Sequence, residues 1–197
     1  MHADVFNAIA DGLAGPGWVT VEGFLSDTEA AALLAHARER RDNFSRAGIG
    51  REGLHQLNAA IRSDEVLWLD NEEAADQLAL QRLDAVREML NRDLYLGLAE
   101  LECHLAVYPE GSFYSRHIDQ HRNQDTRVVT IVLYLNADWQ PENGGELRLY
   151  LDDGSHQDIL PQAGKLVVFM SDRFEHEVLP ARRERWSLTG WLRRRKV

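Results

Sequence analysis

Leu101-Glu102-Cys103-His104-Leu105-Ala106-Val107-Tyr108, closed by Pro109-Glu110-Gly111, opens the part of the chain that decides the fold. A short apolar and aromatic run ended by turn-forming residues reads as a β-strand. The pattern repeats over Phe113–Asp119, Arg127–Leu135, Glu146–Leu151, Gln157–Leu160, Lys165–Met170, His176–Leu179 and Trp186–Leu192. Asn143-Gly144-Gly145, Asp152-Asp153-Gly154 and Ala163-Gly164 supply further turns, because these residues tolerate the backbone angles that turns require. Eight short strands so punctuated predict a jelly roll, or double-stranded β-helix.

Upstream the pattern is helical, which makes the expected class α+β. Ser26-Asp27-Thr28-Glu29 has the form of a capping box. The helix it starts is expected to run to about Arg41, with Ala30, Leu33, Leu34 and Ala37 at helical spacing. A second helix over Glu72–Asn91 carries Ala75, Leu78, Leu83, Val86, Met89 and Leu90 on a broad apolar face. Both faces need a partner, and the sheet can provide one. Val66–Leu69 reads as a short strand. The polar stretch Asn43–Asn58, with Gly48, Gly50 and Gly53, is expected to be a mobile loop of the kind that often carries function.

The chain of 197 residues is expected to form one domain, with 1–100 as helical support and substrate loop and 101–192 as the jelly-roll core. Twenty-two basic against 32 acidic residues give a net charge of -10, which disfavours nonspecific attraction to nucleic acid or to an anionic membrane. The last residues run against that balance, with Arg182, Arg183, Arg185, Arg193, Arg194, Arg195 and Lys196 against Glu184 alone. We read this basic tail as a solvated end. Cys103 is the only cysteine, so an internal disulfide is excluded and a reducing compartment fits. Its apolar neighbours make it core filler. Neither a secretory signal nor an apolar run of about 18 residues is present, and a soluble cytoplasmic protein is expected.

The chemistry-bearing residues sit on these strands. His117 and Asp119 are two apart, so on a strand they share a face. His176 joins them from a later strand. Two imidazoles and a carboxylate fill three positions of an octahedral metal and leave three open, the arrangement of non-haem Fe(II) oxygenases. His2, His36, His55 and His156 read as surface or satisfied core residues. His121 raises the helical spacing of a zinc hydrolase, but Ile118 stands where that motif needs glutamate. His121 is therefore placed at the edge of a polar loop, off the metal. Arg185 offers a permanently charged fork matched to a carboxylate. Alternation puts Ser187, Thr189 and Trp191 on its face of the strand.

Tyr-Pro-x-Gly-x-x-Tyr-x-x-His-x-Asp from Tyr108, Leu-Tyr-Leu-Asn from Leu133, Gly-Gly-Glu-Leu from Gly144, Ser-Asp-Arg-x-x-His-Glu-Val from Ser171 and Arg-x-x-x-Thr-x-Trp from Arg185 together resemble the 2-oxoglutarate and Fe(II)-dependent prolyl hydroxylases. Within them the resemblance is to the hydroxylases of hypoxia-inducible factor and their bacterial relatives. A weaker match runs through Ile61-Arg62-Ser63-Asp64-Glu65-Val66-Leu67-Trp68. The resemblance implies His117, Asp119 and His176 as iron ligands and Arg185 as the anchor of the far carboxylate of 2-oxoglutarate. It also implies Tyr108, Tyr134 and Thr189 as the wall of the co-substrate pocket, and Tyr114 and Trp191 near the metal and the prolyl target. Asp64 and Arg127 match a pair that shapes the substrate surface. Arg46, Ile49 and Arg51, in a loop with its own sequence, are candidates to touch a polypeptide. Fe(II), 2-oxoglutarate, molecular oxygen and ascorbate as reductant are the implied small molecules. Elongation factor Tu is a candidate substrate through the bacterial members. Rival readings are a nucleic-acid demethylase, which the acidic charge disfavours, and a jelly-roll module that binds metal without turnover.

Overall fold

A computed structural model describes residues 3–48, 60–69, 76–120 and 126–196. Alternation along the strands separates two cores. The larger sheet is built from β1 (Trp18–Val21), β2 (Ser45–Arg46), β3 (Glu65–Trp68), β4 (Glu100–Tyr108), β6 (Arg127–Tyr134), β9 (Leu166–Met170) and β11 (Arg185–Arg193), in the order β1-β9-β6-β11-β4-β3-β2. The smaller one joins β5 (Tyr114–His117), β10 (His176–Val178), β7 (Leu147–Tyr150) and β8 (His156–Ile159) in that order. All named strand pairs are antiparallel.

On β4, Cys103, Leu105 and Val107 face one core, while Ala106 and Tyr108 face the other. Strands β6 and β9 divide in the same way, with Ile131, Leu133 and Val168 on one side and Val132, Tyr134 and Phe169 on the other. The first core joins the large sheet to three helices: α1 (Ala3–Ala14), α2 (Asp27–Glu39) and α3 (Gln77–Leu94). Ile9, Leu33, Leu83, Val86 and Leu90 carry much of it. The second core fills the space between the sheets, with Leu147, Leu149 and Val178 from the small one. This is the double-stranded β-helix that the strand pattern predicts.

Helix α2 starts as expected, since Ser26 accepts from the Glu29 backbone N–H at 3.3 Å and Glu29 accepts from the Ser26 backbone N–H at 2.8 Å. Arg82 of α3 donates to Glu29 at 2.6 Å and holds its carboxyl down at about 2, tying the cap to the next helix. The α2 helix stops at Glu39, and a single 3₁₀ turn covers Arg41–Asn43. Part of the expected loop at Asn43–Asn58 is instead strand: Ser45 and Arg46 pair with Val66 and Glu65 at the edge of the large sheet. Residues 49–58, including Ile49, Arg51 and His55, lie outside the described residues, as do His2, His121 and the expected first turn of the second helix at 72–75.

The basic tail is less free than its composition predicts. Strand β11 runs on to Arg193, which donates to Glu102 of β4 at 3.1 Å, and Arg194 donates to the Leu96 carbonyl at 2.8 Å. No helix among the described residues is long and apolar enough to cross a membrane. Cys103 lies in the helix-side core, where burial pushes its thiol up to about 12.

The β4–β11 contact sets the register that positions the site, pairing Arg185 with Tyr108 and Thr189 with His104. It passes through Gly190, where an added Cβ would lie 2.6 Å from both the Glu102 carbonyl oxygen and the Cys103 Cβ. Backbone cannot yield as a flexible side chain can. Gly190→Ala is expected to lower stability by about 1–3 kcal/mol, the usual cost of overpacking. Urea denaturation checks it, and an unchanged midpoint would refute the close-approach argument.

Candidate metal and co-substrate site

His176, at the centre of the small sheet, is paired directly with His117 of β5. Their rings lie 4.2 Å apart, and the Phe169 ring backs His176 at 4.9 Å. Asp119 was expected on the same strand as His117, but β5 ends at His117 and Asp119 sits in the bend beyond it. The reason is a competing set of hydrogen bonds. Thr130 donates to the Asp119 carboxylate at 2.8 Å, Thr130 and Ser171 share a hydrogen bond of 2.8 Å, and the Gln120 N–H donates to the Ser171 carbonyl at 3.3 Å. Convergence survives the loss of strand geometry: Asp119 lies 3.6 Å from Nε2 of each histidine.

His117, Asp119 and His176 offer ligand atoms all within 4.8 Å of one another. Each imidazole has its Nδ1 against a backbone carbonyl, Ser115 at 2.8 Å and Phe174 at 3.2 Å. A carbonyl only accepts, so Nδ1 carries the proton and Nε2 keeps a lone pair facing the Asp119 carboxylate. Burial alone would raise the Asp119 carboxyl, but His176 and then His117 hold it well below the usual range. The Trp191 indole N–H assists from nearby without completing a normal hydrogen bond. Burial lowers His176 to about 4. Nε2 of each imidazole and the Asp119 carboxylate thus converge as three donors, a set that fits a divalent first-row metal.

At the start of β11, Arg185 is 1% exposed and lies about 5.0 Å from the ring centres of both Tyr108 and Tyr134. Its Nε donates to the Gly145 carbonyl at 2.8 Å. Its Nη2 is buried with no hydrogen-bond partner, and the buried Tyr134 hydroxyl beside it also lacks one of normal geometry. Burial raises both phenols, Tyr134 to about 12, so both remain neutral donors. An unpartnered guanidinium nitrogen beside an unpartnered phenol is what the far carboxylate of a dicarboxylic acid would satisfy. Gly145 is required here, having φ +74° and room for no Cβ between Ala181 and Trp139.

The remaining expected residues are distributed around the metal end. Thr189 is half-buried, and its hydroxyl shares a 3.2 Å hydrogen bond with Ser187. Tyr114 stacks on His117 at 3.6 Å with Arg62 over its other side at 4.3 Å. Trp191 packs under the Arg127 guanidinium at 3.4 Å. Asp64 and Arg127 have separate ion-pair partners. Asp64, itself 1% exposed, takes both oxygens to Arg62 at 2.7 and 2.6 Å, whereas Arg127 reaches Glu102 at 3.5 Å. Arg62 is two residues from Asp64 and already inside, so it satisfies that carboxylate first.

Sequence reasoning passed over Thr130, Arg62 and His104. Thr130 had a visible signal, a threonine on the inward face of β6 in step with Val132 and Tyr134. His104 had one too, since alternation from Tyr108 and Ala106 turns it into the barrel.

A jelly roll that gathers two histidines and one carboxylate at one end of its barrel, with a buried basic anchor at the other, has the features of a non-haem iron oxygenase. Residues 103–193 match the 2OG-Fe(II) oxygenase superfamily. A Pseudomonas putida prolyl-4-hydroxylase of known structure is 44% identical, with a TM-score of 0.89 over 97% of this chain and 100% of that one. A Trichoplax adhaerens prolyl hydroxylase, solved with a hypoxia-inducible-factor peptide fragment, is 29% identical, with a TM-score of 0.87 over 95% of this chain and 88% of that one. The hypoxia-inducible factor prolyl hydroxylase of Caenorhabditis elegans is 34% identical over 89% of this chain, which spans only 26% of that relative's length. The chain belongs to the 2OG-Fe(II) oxygenase superfamily, on its prolyl hydroxylase branch. That family takes Fe(II) and 2-oxoglutarate.

The buried imidazoles give the metal-free protein a defined acid sensitivity. His176 and His104 have folded-state values of about 4 and about 3 against 6.5 unfolded, so the unfolded chain binds protons first. Stability they confer is complete above 6.5 and falls as pH drops below it, by about 2 kcal/mol per imidazole at about pH 5. Thermal unfolding of metal-free protein between about pH 7 and 5 should show this decline. A flat profile would contradict the buried, neutral state of these rings.

Proposed function

We propose that this chain is a 2-oxoglutarate-dependent dioxygenase that hydroxylates a prolyl residue of a protein, with elongation factor Tu the candidate substrate. The observation that carries the co-substrate assignment is the unpartnered pair of Arg185 Nη2 and Tyr134 hydroxyl, buried in the barrel that also holds His117, Asp119 and His176. The prolyl assignment rests on the bacterial and animal prolyl hydroxylases that it resembles over nearly its full length.

Fe(II) and 2-oxoglutarate would supply the oxidative chemistry, in which 2-oxoglutarate loses carbon dioxide to give succinate, one atom of molecular oxygen enters succinate and the other a substrate C–H bond, while ascorbate keeps the metal as Fe(II). The chain's own residues bind and orient. His117, Asp119 and His176 hold the metal, with Thr130 and Ser171 fixing the carboxylate between the imidazoles. Arg185 takes the far carboxylate, steered by the Gly145 carbonyl, while Tyr108, Tyr134 and Thr189 complete the wall. Tyr114 and Trp191, close to the metal ligands, exclude water and face the prolyl ring, and the regions of Asp64 and Arg127 shape the approach of the polypeptide.

Purified protein supplied with Fe(II), ascorbate and 2-oxoglutarate should release succinate above the level of an Asp119→Ala variant. Proteins captured on that variant should include elongation factor Tu, and active enzyme should then add the mass of one oxygen atom to a proline. Succinate no higher than the variant's, even with cell extract as substrate, would favour a binding module. Turnover with captured proteins but without elongation factor Tu among them would remove only the named substrate.

A further inference from the structure

Among the described residues, His104 is the one imidazole on the inward face of the large sheet that the metal site does not use. It is 4% exposed, and its Nδ1 is buried without a partner. No hydrogen bond from either of its nitrogens occurs among the described residues. A buried polar group left in this way costs about 1–3 kcal/mol, so a ligand that satisfies it is strongly favoured over none.

Register places the group. His104 shares the inward face of β4 with Ala106 and Tyr108, and it stands directly opposite Thr189 of β11. Further along β11, Arg185 marks the anchor end of the barrel, and Trp191, whose indole approaches Asp119, marks the metal end. Thr189 is two residues from Trp191 and four from Arg185, so His104 lies nearer the metal end of the strand than the anchor end. Its ring packs 5.6 Å from Trp191 and 4.8 Å from Trp68, which fixes its orientation from two sides.

We propose that His104 is a co-substrate-binding residue whose N–H donates a hydrogen bond to the carboxylate of 2-oxoglutarate adjacent to its oxo group. The inference rests on the reading that Arg185 anchors the opposite carboxylate. A dicarboxylic acid held at Arg185 and at the metal must pass Thr189 and His104, and the carboxylate at its metal end is the strongest acceptor within that stretch. Burial holds the imidazole neutral, its value lowered to about 3. One nitrogen therefore always donates, and the pairing is independent of pH across the neutral range. The surrounding aromatic rings raise the strength of that bond by keeping water away.

The test is binding without turnover, in oxygen-free protein loaded with Mn(II). Affinities of 2-oxoglutarate and of 4-oxopentanoate, which lacks the carboxylate next to the oxo group, are measured by calorimetry and competition. His104→Phe should weaken 2-oxoglutarate about tenfold and leave 4-oxopentanoate unchanged, as expected for loss of one hydrogen bond to a charged group. His104→Gln, which keeps a donor, should recover part of the loss. The unfolding midpoint of ligand-free His104→Phe at neutral pH should equal or exceed that of the wild type, because an unsatisfied nitrogen has been removed. Wild-type affinity for 2-oxoglutarate in His104→Phe overturns the inference, as does an equal loss for both ligands. Arg185→Met is the control on the underlying reading. If it binds 2-oxoglutarate as the wild type does, the anchor assignment fails and the inference with it; if it loses the ligand while His104→Phe does not, only His104 is excluded.

Discussion

A full positive charge sits where water does not reach: the Arg185 guanidinium is 1% exposed, and the carbonyl of Gly145 is its single described hydrogen-bond acceptor. Taking an ion out of water costs several kcal/mol even after relaxation, and an unpaired one is retained only if something offsets that cost. Two neutral phenol rings give it partial compensation through their faces. The rest must come from an anion. This constraint explains why the anchor end of the barrel is densely packed, with Trp139 and Ala181 closing on Gly145 and leaving no room for a side chain there.

The metal end obeys the complementary rule. Asp119 is also buried, but its carboxylate lies 3.6 Å from Nε2 of both histidines and accepts from Thr130, whose hydroxyl is itself hydrogen-bonded to Ser171. Paired and hydrogen-bonded, it stays ionised. One barrel thus holds a carboxylate ready for a cation and a cation ready for a carboxylate. A ligand carrying a chelating group at one end and a carboxylate at the other satisfies both.

The strands of this architecture were legible because strand alternation and turn chemistry agree. Each of the eight segments predicted from Leu101 onward overlaps an observed strand. Helix α1 and strand β1 were not read: Val5, Phe6, Ile9 and Leu13 carry a helical period, but α1 lacks a capping signal, and β1 is four residues long beside Gly15-Pro16-Gly17. The three metal-ligand candidates and the Arg185 face were visible in the pattern, whereas Asp119 reaches its place through Thr130 and Ser171, contacts that no spacing rule encodes. The partner of Asp64 is another contact that spacing leaves open. Arg62 and Arg127 are equally suitable in chemistry, and only three-dimensional proximity chooses between them.

The central claim is that Arg185 is a buried cation awaiting a carboxylate, and a thermal unfolding comparison tests it most directly. Mn(II)-loaded wild-type protein and Arg185→Met are melted without oxygen, each with and without 2-oxoglutarate. The account predicts a clear upward shift for the wild type on adding 2-oxoglutarate, as any ligand bound by the native state alone must produce. It predicts no shift for Arg185→Met, whose ligand-free midpoint stays near or above that of the wild type because the unpaired charge is gone. A variant that keeps the full wild-type shift would contradict it.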